Sequence, residues 1–405
     1  MGAAGVGSVF ASGRIRADSN EPNVEGKEQE LKSPQVPRRK LGKTGIKVPC
    51  LSLGGDFNFI DNQIILRKAL DWGVSYWDTA HWYSGGNSEL GIGEFLAKNP
   101  EIRKELFIVS KASGAENAED VEERLSTSLK RMNTDYIDLY YGVHMLSDPG
   151  RLTDELKQWA KSAKERKLIR FFGFSTHKNM AQCLAGAAKL DWIDAIMTMY
   201  NFRLMQDDEI QTAIEACHKA GIGLIAMKVQ GHGQKAPWLD PRCDLETEED
   251  KKLVRHFLED GFTEGQAKLK VILQDRRFSS ACVGMESIAI LTLNVAAVLD
   301  ETELSEADIE VFKEYAEATC SGYCAGCAHI CDTALPNVPY VSDIMRYLMY
   351  CNSYGERDKA RKLFAEIPHK VRNKLLSTDY SAAEARCPQH LPIGKRVAEA
   401  LIKLG

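Results

Sequence analysis

Four side chains with acid–base character stand at comparable places in this 405-residue chain. Asp78 and Tyr83 lie in Trp77-Asp78-Thr79-Ala80-His81-Trp82-Tyr83-Ser84-Gly85-Gly86-Asn87-Ser88-Glu89, which follows an apolar run and leads into a helical pattern. Lys111 closes the apolar run Leu106-Phe107-Ile108-Val109-Ser110, and His144 closes Ile137-Asp138-Leu139-Tyr140-Tyr141-Gly142-Val143. A carboxylate, a phenol, an ammonium and an imidazole are the parts of a proton-transfer site. Each alone has a plainer reading: an Asp bonding its own turn, a Tyr at a loop edge, a Lys snorkelling to solvent, a satisfied structural His. Their common position tips the balance. All four fall at or just past the C-terminal ends of three successive strand candidates, and in a strand–helix barrel those ends converge on the catalytic face.

The elements that would place them alternate from Val48 onward. Strand-like runs occupy 50–54, 74–78, 106–110, 137–143, 169–174, 195–200, 222–228 and 280–283. Helical patterns between them include 62–72, 88–98, 119–132, 152–166, 178–189, 207–220 and 263–275. Eight strand–helix repeats predict an α/β fold, a TIM (β/α)8 barrel over residues 37–315, rather than an open sheet. Residues 316–405 form a Cys-rich helical extension, with helices expected at 340–352 and 356–366. The segment 231–261 is long for a strand–helix loop; it follows the seventh strand and suits a substrate lid, with the acidic run at 246–250 opening a solvated helix.

Composition removes other classes. A net charge of −5 and a pI near 6.1 give no basic footprint for nucleic acid, and no apolar run reaches the length of a membrane span. Residues 1–36 read as a disordered tail. Val9-Phe10-Ala11-Ser12 resembles the end of an export signal without a basic region before it, so the chain as it stands reads as cytoplasmic, or as exported to the periplasm if this is a truncated signal.

The string Asp78-Thr79-Ala80, Tyr83, Gly86-Asn87-Ser88-Glu89, with Lys111 and His144, resembles the aldo-keto reductase family. The opening Arg39-Lys40-Leu41-Gly42-Lys43-Thr44-Gly45, followed by Leu51-Ser52-Leu53-Gly54-Gly55, is also typical of it, and the resemblance runs from about Arg39 to Asn294. It implies reduction of an aldehyde or ketone, of sugar-derived type among others, with hydride from NADP or NAD. By that resemblance Tyr83 is the acid, Lys111 lowers the phenol's pKa, Asp78 holds Lys111, and His144 orients the carbonyl. It also implies cofactor contacts at Gly54, Ser175, Thr176, Tyr200, Lys228, Gly284, Ser287 and Asn294. Thr176 replaces the usual Asn, and Met197 stands where many members carry Gln. No Lys or Arg lies between Gly284 and Asn294, and Glu286 would repel a 2′-phosphate, so the choice between NADP and NAD stays open.

Past the barrel come Cys320, Cys324, Cys327 and Cys331, with Cys387-Pro388 downstream. Short thiolate spacings of this kind wrap a metal centre. The segment Cys387-Pro388-Gln389-His390-Leu391-Pro392-Ile393 resembles the ferredoxin-like extension of some bacterial aldo-keto reductases. The preferred ligand set is Cys324, Cys327, Cys331 and Cys387, with Cys320 as the alternate. A 4Fe-4S cluster, tetrahedral zinc and a set of plain reduced thiols are the three readings. The extension also appears too poor in apolar residues to hold itself firmly without metal. Two rivals to the enzyme reading are a redox-sensing barrel that only binds cofactor, and a two-centre protein linking nicotinamide to iron–sulfur.

Overall fold

Eight parallel strands close on themselves. After an antiparallel pair, β1 (Arg38–Lys40) with β2 (Lys47–Pro49), the barrel runs β3 (Leu51–Gly54), β4 (Tyr76–Asp78), β5 (Phe107–Lys111), β6 (Ile137–Val143), β7 (Ile169–Thr176), β8 (Ala195–Met199), β9 (Gly223–Met227) and β10 (Phe278–Gly284), with β10 pairing back onto β3. The computed structural model describes residues 33–231 and 248–405. Most of the expected tail at 1–36, and the part of the expected lid from 232 to 247, lie outside the described residues.

The pleat decides which side chains reach the chemistry. Along β4 and β5, Tyr76, Phe107 and Val109 point into the lumen, where they pack with Leu139, Tyr141, Ala195, Met197 and Ile225. Alternate residues Trp77, Ile108, Tyr140, Ile196 and Leu224 face the helices and join the larger core. Asp78 and Lys111 each lie two residues beyond a lumen residue, so they crown the packed interior at its C-terminal end. The β1–β2 pair, which the sequence pattern did not reveal, closes the opposite end: Leu41 and Val48 plug the lumen and Lys43 N donates to Gly221 O at 2.7 Å.

The helices follow expectation closely, for example Gln63–Asp71, Asn87–Lys98, Ala118–Arg131 and Asp208–Lys219. The described part of 231–261 is a helix, Glu248–Glu259, opened by three acidic residues as its macrodipole favours.

The extension departs from expectation. Its helices, among them Val341–Ser353, Arg357–Ala365 and Ile393–Leu404, enclose a hydrophobic cluster of their own that includes Ile344, Leu348, Phe364, Val397 and Ala400. The apolar residues are scattered over several short helices, so no single window reads as rich, yet together they bury a core. This core is bolted to the barrel's C-terminal face. Asn179 N donates to Gly326 O at 2.8 Å, Asn201 Nδ2 to Tyr323 Oη at 2.9 Å, and Arg203 Nη1 to Thr319 Oγ1 at 2.7 Å. Lys178 pairs with Asp343 at 2.9 Å and Lys359 with Asp56 at 2.5 Å. Residues Pro34–Gly405 accordingly make one compact unit.

One close approach can be tested. Gly93, in the helix Asn87–Lys98 that anchors the Tyr83 loop, lies where an added Cβ would meet Arg131 O at 2.0 Å. Alanine raises helix propensity by about 1 kcal/mol, but overpacking costs roughly 1–3 kcal/mol or more. Gly93→Ala should therefore lower stability in a denaturant titration, and a stabilised variant would show that these helices can separate freely.

Candidate active site

Strand β4 ends at Asp78, and the chain turns immediately through Thr79 to a short 3-10 turn, Tyr83–Gly86, before the helix Asn87–Lys98. Three successive residues of this turn take left-handed backbone, Ser84, Gly85 and Gly86, which suits glycine at two of them. The turn is tied down from below. Thr79 Oγ1 and Ser88 Oγ are 2.6 Å apart. The fully buried Glu89 accepts from Ser110 Oγ at 2.6 Å and from Arg131 Nη1 at 3.0 Å, and Arg131 also donates to His81 O at 2.8 Å. These bonds fix where the Tyr83 ring stands relative to β5.

Lys111 is the hub. Its buried ammonium donates to Asp78 Oδ1 at 2.5 Å, to Thr79 O at 2.8 Å and to Tyr83 Oη at 3.2 Å. It also stands 4.4 Å from the centre of the Tyr83 ring. His144 approaches that ring edge-on, with centroids 6.0 Å apart, and its Nδ1 lies 2.7 Å from Ser113 Oγ. A Ser113 hydroxyl donating to Nδ1 leaves Nε2–H as the free donor. Burial, followed by the charges of Lys111, Arg346 and Lys359, holds the imidazole neutral, well below its ordinary pKa.

The electrostatics correct one expectation. Burial, then the negative charge of Asp78, keeps the Tyr83 phenol well above its ordinary pKa. Lys111 does not win here because Asp78 neutralises it at contact distance, while burial penalises phenolate directly. Asp78 itself is raised by burial against the opposing pull of Lys111, and its second oxygen, Oδ2, has no hydrogen-bond partner among the described residues. Tyr83 is thus a firmly protonated phenol in hydrogen-bond contact with an ammonium.

A cavity of about 250 Å³ opens beside this group. Asp78 and Tyr83 line it together with Gly54, Lys228, Gly284, Glu286 and the lumen's top residues Met197, Met227 and Cys282. Of the expected cofactor residues, Gly54, Lys228 and Gly284 therefore meet at the site, and a Cβ on Gly284 would touch nothing within 4 Å. The others are not among its lining. Ser175 Oγ accepts from Met145 N at 3.1 Å, and Thr176 Oγ1 donates to Leu146 O at 2.7 Å. Tyr200 stacks on Phe278 with centroids 4.4 Å apart and donates to Asp275 Oδ2 at 2.9 Å. Ser287 caps the helix Ile288–Leu299 by accepting from Ile290 N, and Asn294 Nδ2 donates to Ile290 O at 3.0 Å.

Several lining residues had no signal in the motifs. Tyr354 and Glu356 reach this cavity from the extension, and Lys228 stands 4.8 Å and 5.2 Å from the Tyr354 and Tyr350 ring centres. Burial opposes the Lys228 charge, but Tyr354, Tyr350, Asp56 and Glu356 outweigh it and raise its pKa. Ser113 could have been flagged by its place two residues after Lys111; Tyr354 and Glu356, more than 200 positions away, could not.

The four preferred thiols also gather. Cys331 and Cys387 are buried in the extension's core and Cys324 faces a second cavity. Burial pushes Cys327 and Cys331 up to about 12, reinforced at Cys327 by Cys324, Cys331 and Cys387, and at Cys331 by Cys324 and Cys387. Cys320 does not figure among those neighbours.

The model of the aldo/keto reductase family matches residues 51–317. An aldo-keto reductase of Gibberella moniliformis is 28% identical over 55% of this chain and 67% of its own length. The aldo-keto reductase yakc [NADP(+)] of Schizosaccharomyces pombe is 28% identical over 49% of this chain and 62% of its own; the match thus spans less than two thirds of that relative. Among solved structures, an aldo-keto reductase of Bacillus halodurans in holo form superposes over 69% of this chain and 96% of its own, with a TM-score of 0.56 and 20% identity. A thermostable aldo-keto reductase solved with the inhibitor epalrestat gives the same TM-score at 24% identity, covering 69% of this chain and all of its own.

The buried histidines set a pH dependence. His144 and His177 are held well below 6.5, by burial first and then by neighbouring cations. The unfolded chain binds protons there that the folded chain cannot, so stability is complete above pH 6.5 and falls as the solution is acidified below it. Each contributes up to about 1.4 kcal/mol per pH unit. Urea titrations at pH 7, 6 and 5 should show this slope, and the double variant His144→Gln/His177→Gln should reduce it, leaving the part due to His81, which burial and then Arg131 lower to about 4.

Proposed function

The chain belongs to the aldo/keto reductase family, and on that premise we propose that it reduces an aldehyde or ketone, with Tyr83 as proton donor. The observation that carries this reading is the single ammonium of Lys111 bonded to both Asp78 and Tyr83 at the edge of a cavity. A nicotinamide dinucleotide, when bound, supplies the hydride. Gly54, Lys228 and Gly284 would hold it, Gly284 by leaving room and Lys228 by its charge. Asp56, Glu286 and Glu356 act on one another's surroundings at this rim, so a dinucleotide without a 2′-phosphate fits better than one with it.

The chain's own residues do the rest. His144, neutral and tethered by Ser113, offers Nε2–H to the carbonyl oxygen and orients it toward Tyr83. Tyr83 keeps its proton through binding, because burial disfavours phenolate, and releases it when the oxygen becomes a strongly basic alkoxide. The phenolate formed at that moment is 3.2 Å from the Lys111 ammonium, so the stabilisation operates when charge appears rather than before. Asp78 keeps Lys111 charged and in place.

In the extension, Cys324, Cys327, Cys331 and Cys387 are the ligand set we propose, for an iron–sulfur cluster in preference to zinc. Zn–S bonds of about 2.3 Å require sulfur–sulfur edges of about 3.8 Å; among the described residues no three of these sulfurs stand within 4.8 Å of one another. Such a cluster supplies one-electron chemistry when present. Cys324 lines a cavity that shares Lys228 and Tyr354 with the catalytic one, and this proximity favours a second, two-centre redox reading.

Tyr83→Phe should retain fold and saturable NADH or NADPH fluorescence titration while losing about 10²- to 10⁴-fold in kcat; a variant turning over a carbonyl at the wild-type rate removes Tyr83 from the role. Anaerobic purification followed by iron, sulfide and zinc analysis should return iron and sulfide in stoichiometric amount. Stoichiometric zinc alone would make the site structural.

A further inference from the structure

The second cavity lies where the extension meets the barrel, and its lining is unusual for an interface between two packed cores. It is walled by Met199 and Met345, by Lys228 and Tyr354, which it shares with the catalytic cavity, by His177 and Arg346, and by Cys324, one of the proposed cluster ligands. His177 follows β7 and is nine-tenths buried, yet among the described residues its Nδ1 has no hydrogen-bond partner. A buried ring nitrogen left in that state is rare and costs about 1–3 kcal/mol. It marks a position prepared for something absent from the folded chain itself.

The charges around it indicate what. Arg346 donates one Nη2 bond to Asp343 at 2.7 Å, and Lys178 pairs with the same carboxylate at 2.9 Å, so two cations share one anion. Lys228 has no carboxylate within ion-pair distance among the described residues; its near neighbours are the Tyr350 and Tyr354 rings. The cavity therefore carries an excess of positive charge enclosed by methionine and tyrosine. A guanidinium has five donors in a planar fork suited to a carboxylate, and one bond to Asp343 leaves donors to spare. The free volume is about 40 Å³. Free space of this kind admits a small polar group such as a carboxylate. The site also adjoins the catalytic cavity, with which it shares Lys228 and Tyr354.

We propose that this cavity holds the carboxylate of an oxo-acid substrate, Arg346 and His177 binding it while the carbonyl lies between Tyr83 and His144. The proposal rests on the carbonyl-reductase reading and narrows it to substrates carrying a carboxylate a short apolar spacer away from the carbonyl. It also gives the Cys-rich extension a part in specificity, because Arg346 belongs to the helix Val341–Ser353.

The test compares matched pairs, 4-oxobutanoate with butanal and 2-carboxybenzaldehyde with benzaldehyde, together with calorimetric titration of the unreactive probe succinate. The wild-type protein should prefer the acid of at least one pair by about 10- to 100-fold in kcat/KM, the range of a buried charge-assisted contact. Arg346→Met should bring acid and neutral partner within about threefold and abolish succinate binding, whereas Arg346→Lys keeps the charge and part of the preference. Circular dichroism of both variants controls for folding. Equal treatment of acid and neutral partner in both pairs, with no succinate binding to wild type, overturns the proposal and leaves carbonyl reduction standing. Succinate binding lost in Arg346→Met, but no reduction of any carbonyl, would overturn the reductase reading and leave the anion site standing.

Discussion

A buried ion pair governs this molecule. Lys111 and Asp78 are 1% and 2% exposed, and taking two such charges out of water costs several kcal/mol each before any attraction is counted. The barrel can tolerate them because it holds them in contact: β4 and β5 are neighbours with Asp78 opposite Val109, and Lys111 follows Val109 by one pleat on the same lumen-facing row. The further consequences are chemical. Lys111 has donors left for Thr79 O and Tyr83 Oη, so the phenol is fixed by the same group that neutralises the carboxylate. Removing Lys111 would leave an unpaired buried carboxylate whose Oδ2 already lacks a partner among the described residues, which makes the pair a requirement of folding.

The extension changes what that face can see. Ion pairs and hydrogen bonds from Thr319, Tyr323, Gly326, Asp343 and Lys359 fasten it to loops that follow β3, β7 and β8. Because it carries its own hydrophobic core, it can act as a rigid roof, presenting Tyr354 and Glu356 to the catalytic cavity and Arg346 to the neighbouring one. Fields from this roof reach His144, which Arg346 and Lys359 help keep neutral. A metal centre at Cys324 and its neighbours would stiffen the wall nearest the second cavity.

Much of this was legible in the residue order. Strand and helix positions follow directly from period: apolar runs bounded by turns gave eight strands, with their ends misplaced by at most two residues. Two things were misjudged for identifiable reasons. The β1–β2 pair is three residues long on each side, below what alternation can signal. The extension's core draws single apolar residues from many short helices, so its richness exists only after they are brought together.

The sequence by itself determined the barrel, the four acid–base side chains and their common end of it, because pleat and helix periodicity are local properties. It did not show what Asp138, a second buried Asp on an apolar strand, would meet. In the folded chain Asp138 faces the helices one pleat out of phase with the lumen, held by Arg103 at 2.9 Å and Arg170 at 2.6 Å, and serves structure. Nor could it tell that Tyr200 is spent on Asp275 or that Thr176 is spent on Leu146 O, or that burial rather than Lys111 sets the Tyr83 phenol. Those outcomes depend on which groups meet across the closed sheet and beneath the extension, and a field or a desolvation cost exists only between groups that tertiary structure has brought within a few ångströms.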